Sequence, residues 1–176
     1  RQGKYSDVML MYLCKYFNGP TKQMAELWKA AGEFQIDTFD LEERILTQML
    51  YTTDYTPHME EIYESYCAGG GRELVCMAYL SYFANMYLTE DAIVPEHVFR
   101  QIRERCLTGG DLNRVCRIAL LKYFSENHLS ERDRKVADEL LGACIRHNLY
   151  FAFFRKFDEK LLRKYQLTDK FFLEYH

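Results

Sequence analysis

Long apolar runs are missing from this chain. The longest, Leu74 to Leu80, is far short of the ~20 residues needed to span a bilayer as a helix, and nothing at the N-terminus has the charged, apolar and small-residue zones of a signal peptide. Charge of one dominant sign is missing too: the net value is −3, too small for a field that would gather nucleic acid or an acidic membrane surface. Proline occurs 3 times and glycine 9 times in 176 residues, which leaves little material for turns and argues for long regular elements. No C-x-x-C pair exists among the six cysteines at 14, 67, 76, 106, 116 and 144. All lie inside apolar helical patterns, where a thiol packs as a small hydrophobe. They read as reduced and structural, which places the protein in the cytoplasm. Arg1-Gln2-Gly3 looks unlike a natural start, and suggests a piece of a longer polypeptide.

What is present is ordinary for a globular fold: 48% hydrophobic and 28% charged residues, with aromatics at 15%. A compact chain of this length buries roughly 70% of its unfolded surface, enough to fold without disulfides or metal.

Helix punctuation is dense. Ser6 caps a run to Phe17, stopped by Asn18-Gly19-Pro20, and Thr21 caps the next run to Ala31. Asp40-x-x-Glu43 opens a third helix to about Tyr51, and Thr56-Pro57 a fourth that ends at Ala68. After Gly69-Gly70-Gly71 a fifth runs from Arg72 to about Leu88, and Pro95 starts a sixth that ends at Thr108-Gly109-Gly110. Asp111 caps a seventh to about Glu126, and Ser130-x-x-Asp133 opens an eighth to about Arg146. Residues 1–149 contain no convincing period-2 pattern.

The helices repeat as pairs. Tyr-Phe doublets close apolar helices at Tyr16-Phe17, Tyr82-Phe83 and Tyr123-Phe124, and Gln48 to Tyr51 falls near the midpoint of the first interval. The steps fit a unit of about 33 residues with one longer member, close to the ~34 of tetratricopeptide-like helix-turn-helix repeats. In the third pair Leu74 to Leu80 is apolar all round and should be covered on several sides, whereas its partner carries Val98, Phe99, Ile102, Cys106 and Leu107 on one stripe. The expected fold is therefore all-α: a right-handed stack of about four antiparallel hairpins (an α-solenoid) over residues 1–157, although the tetratricopeptide consensus itself is absent. Residues 158–176 read as a short helix followed by a strand-like linker to a following domain, because Phe171, Leu173 and Tyr175 alternate with Phe172, Glu174 and His176.

Candidate chemistry is sparse. Gly69-Gly70-Gly71-Arg72 precedes a helix N-terminus, where phosphate can bind, but no Lys-Ser/Thr follows and no strand precedes. Gly109-Gly110-Asp111 stands in the same place one repeat later, so both read as helix C-caps. His58 with Glu61, and Cys144 with His147, place two ligands one turn apart, but zinc needs four, or three and water. No metal or cofactor is expected, and no catalytic residue. His97, in a first helical turn, reads as a surface residue. Tyr150 to Phe157 packs five aromatics beside Arg155 and Lys156. It fits a terminal element that docks on the last hairpin better than a base-stacking or membrane-dipping segment.

Several stretches carry a resemblance: LMYLCKYFNGPTKQMAEL (Leu10 to Leu27), FDLEERILTQML (Phe39 to Leu50), GGRELVCMAYLSY (Gly70 to Tyr82), YFAFFRKF (Tyr150 to Phe157), LLRKYQL and DK…LEY. They resemble a family of long uncharacterised proteins of anaerobic Gram-positive bacteria, classed as a domain of unknown function. The resemblance implies a bacterial cytoplasmic protein and a region of a longer polypeptide, and brings no catalytic residues. The expected role is a non-catalytic module that binds protein or peptide, or that scaffolds adjacent domains of its own polypeptide, with no nucleic acid and no membrane as partner. Tyr12, Tyr51 and Tyr79, with Tyr150, Phe153, Phe154 and Arg155, are the candidate contacts. The alternative is a helical spacer in a large enzyme whose chemistry lies elsewhere. A helical hydrolase or transferase in its own right has the least support.

Overall fold

A computed structural model describes residues 6–52, 55–90 and 92–146, with the side chains of 125 and 141–146 left aside. The described residues form eight α-helices and no strand: α1 (Asp7–Tyr16), α2 (Thr21–Gly32), α3 (Phe39–Thr52), α4 (Met59–Ala68), α5 (Glu73–Glu90), α6 (Glu96–Leu107), α7 (Arg114–Glu126) and α8 (Glu131–Arg146). They fall into two compact units, Arg1–Tyr82 and Phe83–His176, with the division inside α5.

In the first unit α1 packs on α2 and α3, α2 on α3, and α3 on α4. Apolar positions explain the order. Leu10 and Cys14 on α1, Met24 and Ala31 on α2, Leu41, Ile45 and Met49 on α3, and Ile62, Tyr63 and Tyr66 on α4 are all buried, each set at the three-to-four spacing that puts one stripe inward. Tyr63 also stacks on Tyr79 of α5, ring centroids 4.5 Å apart.

In the second unit α6 packs on α7 and α8, and α7 on α8. Val98, Ile102, Leu120 and Phe124 are buried, and beside them Phe99 stacks on Tyr123 at 4.3 Å and meets Tyr87 edge-on at 4.9 Å, geometries that suit the ring quadrupoles. Lys122 lies over the Tyr87 ring at 4.4 Å and donates to the Tyr87 carbonyl at 3.0 Å, while the Tyr87 hydroxyl donates to Glu126.

Both glycine joints are helix C-caps. Gly70 N–H donates to the Cys67 carbonyl and Gly71 N–H to that of Tyr66. Gly109 N–H likewise donates to Cys106 and Gly110 N–H to Arg105. The paired bonds need a left-handed residue between them, and Gly70 (φ 83°) and Gly109 (φ 72°) supply it.

Helix starts conform less well. Ser6 caps α1, accepting from Met9 N–H at 3.3 Å, and Ser130 accepts from Asp133 N–H at 3.1 Å. Thr21, however, is the first residue of α2 behind Pro20, and its buried hydroxyl has no hydrogen-bond partner. The α3 start is set by Asp37, which accepts from Phe39 N–H at 3.0 Å, and not by Asp40. Asn113, not Asp111, caps α7, accepting from Cys116 N–H at 3.0 Å. For α3 and α7 a neighbouring polar residue sits closer to the first free N–H groups, whereas α2 starts behind Pro20 with no side-chain cap.

Candidate functional site

Two features of the first unit stand out, a polar hub inside it and an apolar row outside it.

The hub is Glu42, in the first turn of α3 and 2% exposed. Its Oε1 accepts from Trp28 Nε1 at 2.9 Å, from Thr38 Oγ1 at 2.8 Å and from Ser65 Oγ at 2.7 Å. One carboxylate thereby ties α2, the entry to α3, and α4 together. Its neighbour Glu43 accepts from the Tyr66 hydroxyl and from both Nε and Nη2 of Arg72. Arg72 N–H in turn donates to the Tyr66 hydroxyl at 3.0 Å. The Tyr66 bond holds the Glu43 carboxyl below its usual range, with Arg72 adding to it. Burial, then the Glu43 bond, push the Tyr66 hydroxyl up. Arg44 fills a third role, donating to the carbonyls of Phe17, Lys15 and Cys14 at the C-terminal end of α1, where four carbonyls lack helical partners and cations are favoured. These contacts hold helices in place.

The outward row belongs to α1. Leu10 and Cys14 face inward, while Val8, Met9, Met11, Tyr12 and Tyr16 face solvent, from 51% exposed at Met9 to 76% at Val8. Positions 8, 12 and 16 follow the four-residue ridge of a helix surface. Tyr12 and Tyr16 sit ring to ring at 4.9 Å, and Lys15 Nζ lies 5.7 Å from the Tyr16 ring. Single exposed apolar residues are commonplace, whereas these five share one short helix.

The candidate contacts read from sequence divide accordingly. Tyr12 lies in the row, and Tyr51, at the end of α3, is 83% exposed. Tyr79 is not exposed at all: it is fully buried against Tyr63, and burial, with Tyr55 and Tyr63 beside it, pushes its hydroxyl far above its usual range. Its ring is a core element and not an exposed anchor on a concave face. His97 is likewise buried rather than on the surface. Leu74, at the head of the apolar run, is exposed, because α5 begins there and only Val75 onward turns inward. Tyr150, Phe153, Phe154 and Arg155 lie outside the described residues. Val8, Met9, Met11 and Tyr16 were missed, although the mixed apolar content of both faces of Asp7–Tyr16 was a usable signal. Among the described residues, no group of three His, Cys, Asp or Glu is placed to hold a metal, and no helix is long and apolar enough to cross a membrane.

Over residues 1–176 the chain matches the family model described as "Family of unknown function (DUF5717), C-terminal". The chain belongs to that family. No curated protein and no solved structure matches it. In this DUF5717 chain the α1 row brings one valine, two methionines and two tyrosines to the surface of a single helix.

Proposed function

We propose that this DUF5717 region is a non-catalytic helical-repeat module, built of right-handed stacked hairpins, that docks another helical segment through α1. The observation that carries the reading is the row Val8, Met9, Met11, Tyr12 and Tyr16, exposed on a helix whose opposite side is already packed. In a stack, helix pairs bury one another's faces and the end pair is left with one uncovered. The packing of α1 on α3 and of α6 on α8 agrees with hairpin-on-hairpin order. A ridge at positions 8, 12 and 16 suits the groove of a further helix, with Tyr12 and Tyr16 as rigid aromatic anchors. The family description puts this region at the C-terminal side of its members, so an adjacent part of the same polypeptide is the occupant we assign. A cytoplasmic bacterial setting agrees with the thiols at the described cysteines.

The test is a photo-crosslinking residue at position 12 in a family polypeptide that carries residues N-terminal to this region. Crosslinks should map to a helical segment of the same polypeptide. Crosslinks confined to a different protein would replace scaffolding with partner binding. No crosslink above that of a control at exposed Glu64 would overturn the docking role.

A further inference from the structure

One pair of reactive groups takes no part in the docking face. Cys67, in the last turn of α4, and Cys76, in the first turns of α5, bring their sulfurs to 2.7 Å. Nine positions apart, they are brought together by the Gly70–Gly71 cap, which reverses the chain between the two helices. The joint is clamped on its other side by Tyr66, Glu43 and Arg72, so the approach is a property of the packed turn. Cys76 is 1% exposed and Cys67 is half-buried. One thiol is therefore open to a small oxidant, and the other waits behind it. That is the arrangement of an attacking and a resolving cysteine. Elsewhere burial raises the Cys14 and Cys106 thiols, which leaves them less reactive.

We infer that Cys67 and Cys76 form a reversible redox pair that peroxide converts to a disulfide stapling α4 to α5. The Cys67 thiolate attacks one oxygen of hydrogen peroxide, the O–O bond breaks, and hydroxide leaves, giving a sulfenic acid at Cys67. The Cys76 sulfur then attacks the Cys67 sulfur, and the sulfenic oxygen departs with a proton as water. Overall two thiols and one peroxide give one disulfide and two waters, and a dithiol returns the pair to its reduced state.

Tryptic cleavage after Arg44, Arg72 and Arg100 places the two cysteines in separate peptides, 45–72 and 73–100, with no other cysteine in either. The reduced native chain is exposed to one equivalent of peroxide, alkylated, digested without reductant and analysed by mass spectrometry. The expected product is the 45–72/73–100 pair, two hydrogens lighter than the sum of its parts, with both thiols lost to alkylation together and restored by dithiothreitol. In Cys76→Ser, Cys67 should instead accumulate a dimedone-reactive sulfenic acid. The wild-type map needs no variant to fold. The inference is overturned if both thiols stay alkylatable under peroxide that oxidises the denatured chain. It is also overturned if Cys67 reaches sulfinic acid while Cys76 stays alkylatable, or if either peptide pairs equally with other cysteines.

Discussion

Removing the Glu42 carboxylate should be among the most damaging single changes in the first unit. Three donors from three parts of the chain converge on one oxygen of a side chain that is 2% exposed. A hydrogen bond to a charged group contributes ~1.5–3 kcal/mol net. The three are not additive, because the hydroxyls of Thr38 and Ser65 can turn to other acceptors. The Trp28 N–H cannot, and stranding it costs ~1–3 kcal/mol. With the space vacated, Glu42→Ala should cost about 3–5 kcal/mol, the range for breaking a buried charged network. The better helix propensity of Ala offsets only a few tenths of that. Glu42→Gln keeps one acceptor oxygen and should cost about 1–2 kcal/mol. Ser65→Ala alone should cost ~1 kcal/mol in the parent and much less in the Glu42→Ala background. Trp28 is the single tryptophan and sits on the hub, so its emission during urea unfolding reports this network directly, with far-UV circular dichroism as a second probe. A Glu42→Ala cost below about 1 kcal/mol, or a Ser65→Ala cost unchanged between backgrounds, would refute the convergence on Glu42.

Arg44→Met should cost about 1–3 kcal/mol in urea unfolding by stripping the α1 carbonyls of their donors, and Arg44→Lys should recover only part, since one ammonium cannot reach three carbonyls as the fork does. Tyr79→Ala should cost about 3–5 kcal/mol, because a fully buried stacked ring is lost; Tyr51→Ala, at an exposed position, should stay within about 0.5 kcal/mol in the same assay. The Tyr66 and Tyr79 hydroxyls titrate higher in the folded chain than in the unfolded one. The stability they contribute is complete below the ordinary tyrosine value of ~10 and is lost as pH rises beyond it. Glu43 is shifted the other way: its contribution is present above the ordinary glutamate value of ~4.3 and drains as pH falls below it. Urea midpoints measured across pH should therefore fall at both ends, and Glu43→Gln should flatten the acid limb.

Features that a short stretch of chain decides by itself were legible in the sequence. The glycine joints after α4 and α6 were read correctly because a left-handed cap needs glycine wherever it falls. Ser6 and Ser130 are legible as caps because the N–H groups that donate to them lie only three residues away. Thr21, Asp40 and Asp111 are not the caps that the sequence suggests: Thr21 is already inside α2 behind Pro20, and before α3 and α7 only the chain's path decides which polar side chain meets the free N–H groups. Long-range geometry was invisible. Nothing local marks Glu42 as buried, Arg44 as the cap of a helix 27 residues earlier (its Nε meets the Phe17 carbonyl), or Cys67 as the neighbour of Cys76. Tyr79 was misplaced because a hydroxyl at the end of an apolar ring is compatible with surface and core alike. Tyr12 is exposed as expected, but the sequence does not single out the rest of its row. Apolar residues on both faces of a short helix read as a buried element, and only the structure shows that one of the faces is exposed.

If another helical segment docks on α1, the row is covered in the protein that carries it. Hydroxyl-radical footprinting measures this directly, because methionine and tyrosine are readily oxidised and Met9, Met11, Tyr12 and Tyr16 all lie on the row. Oxidation of these four should proceed at solvent-exposed rates in the isolated chain. It should fall several-fold in a family polypeptide that retains the residues N-terminal to this region, while Tyr51 stays equally reactive in both. Equal oxidation of the row in the two proteins would mean that the face stands open to water, and would contradict the docking role assigned to it.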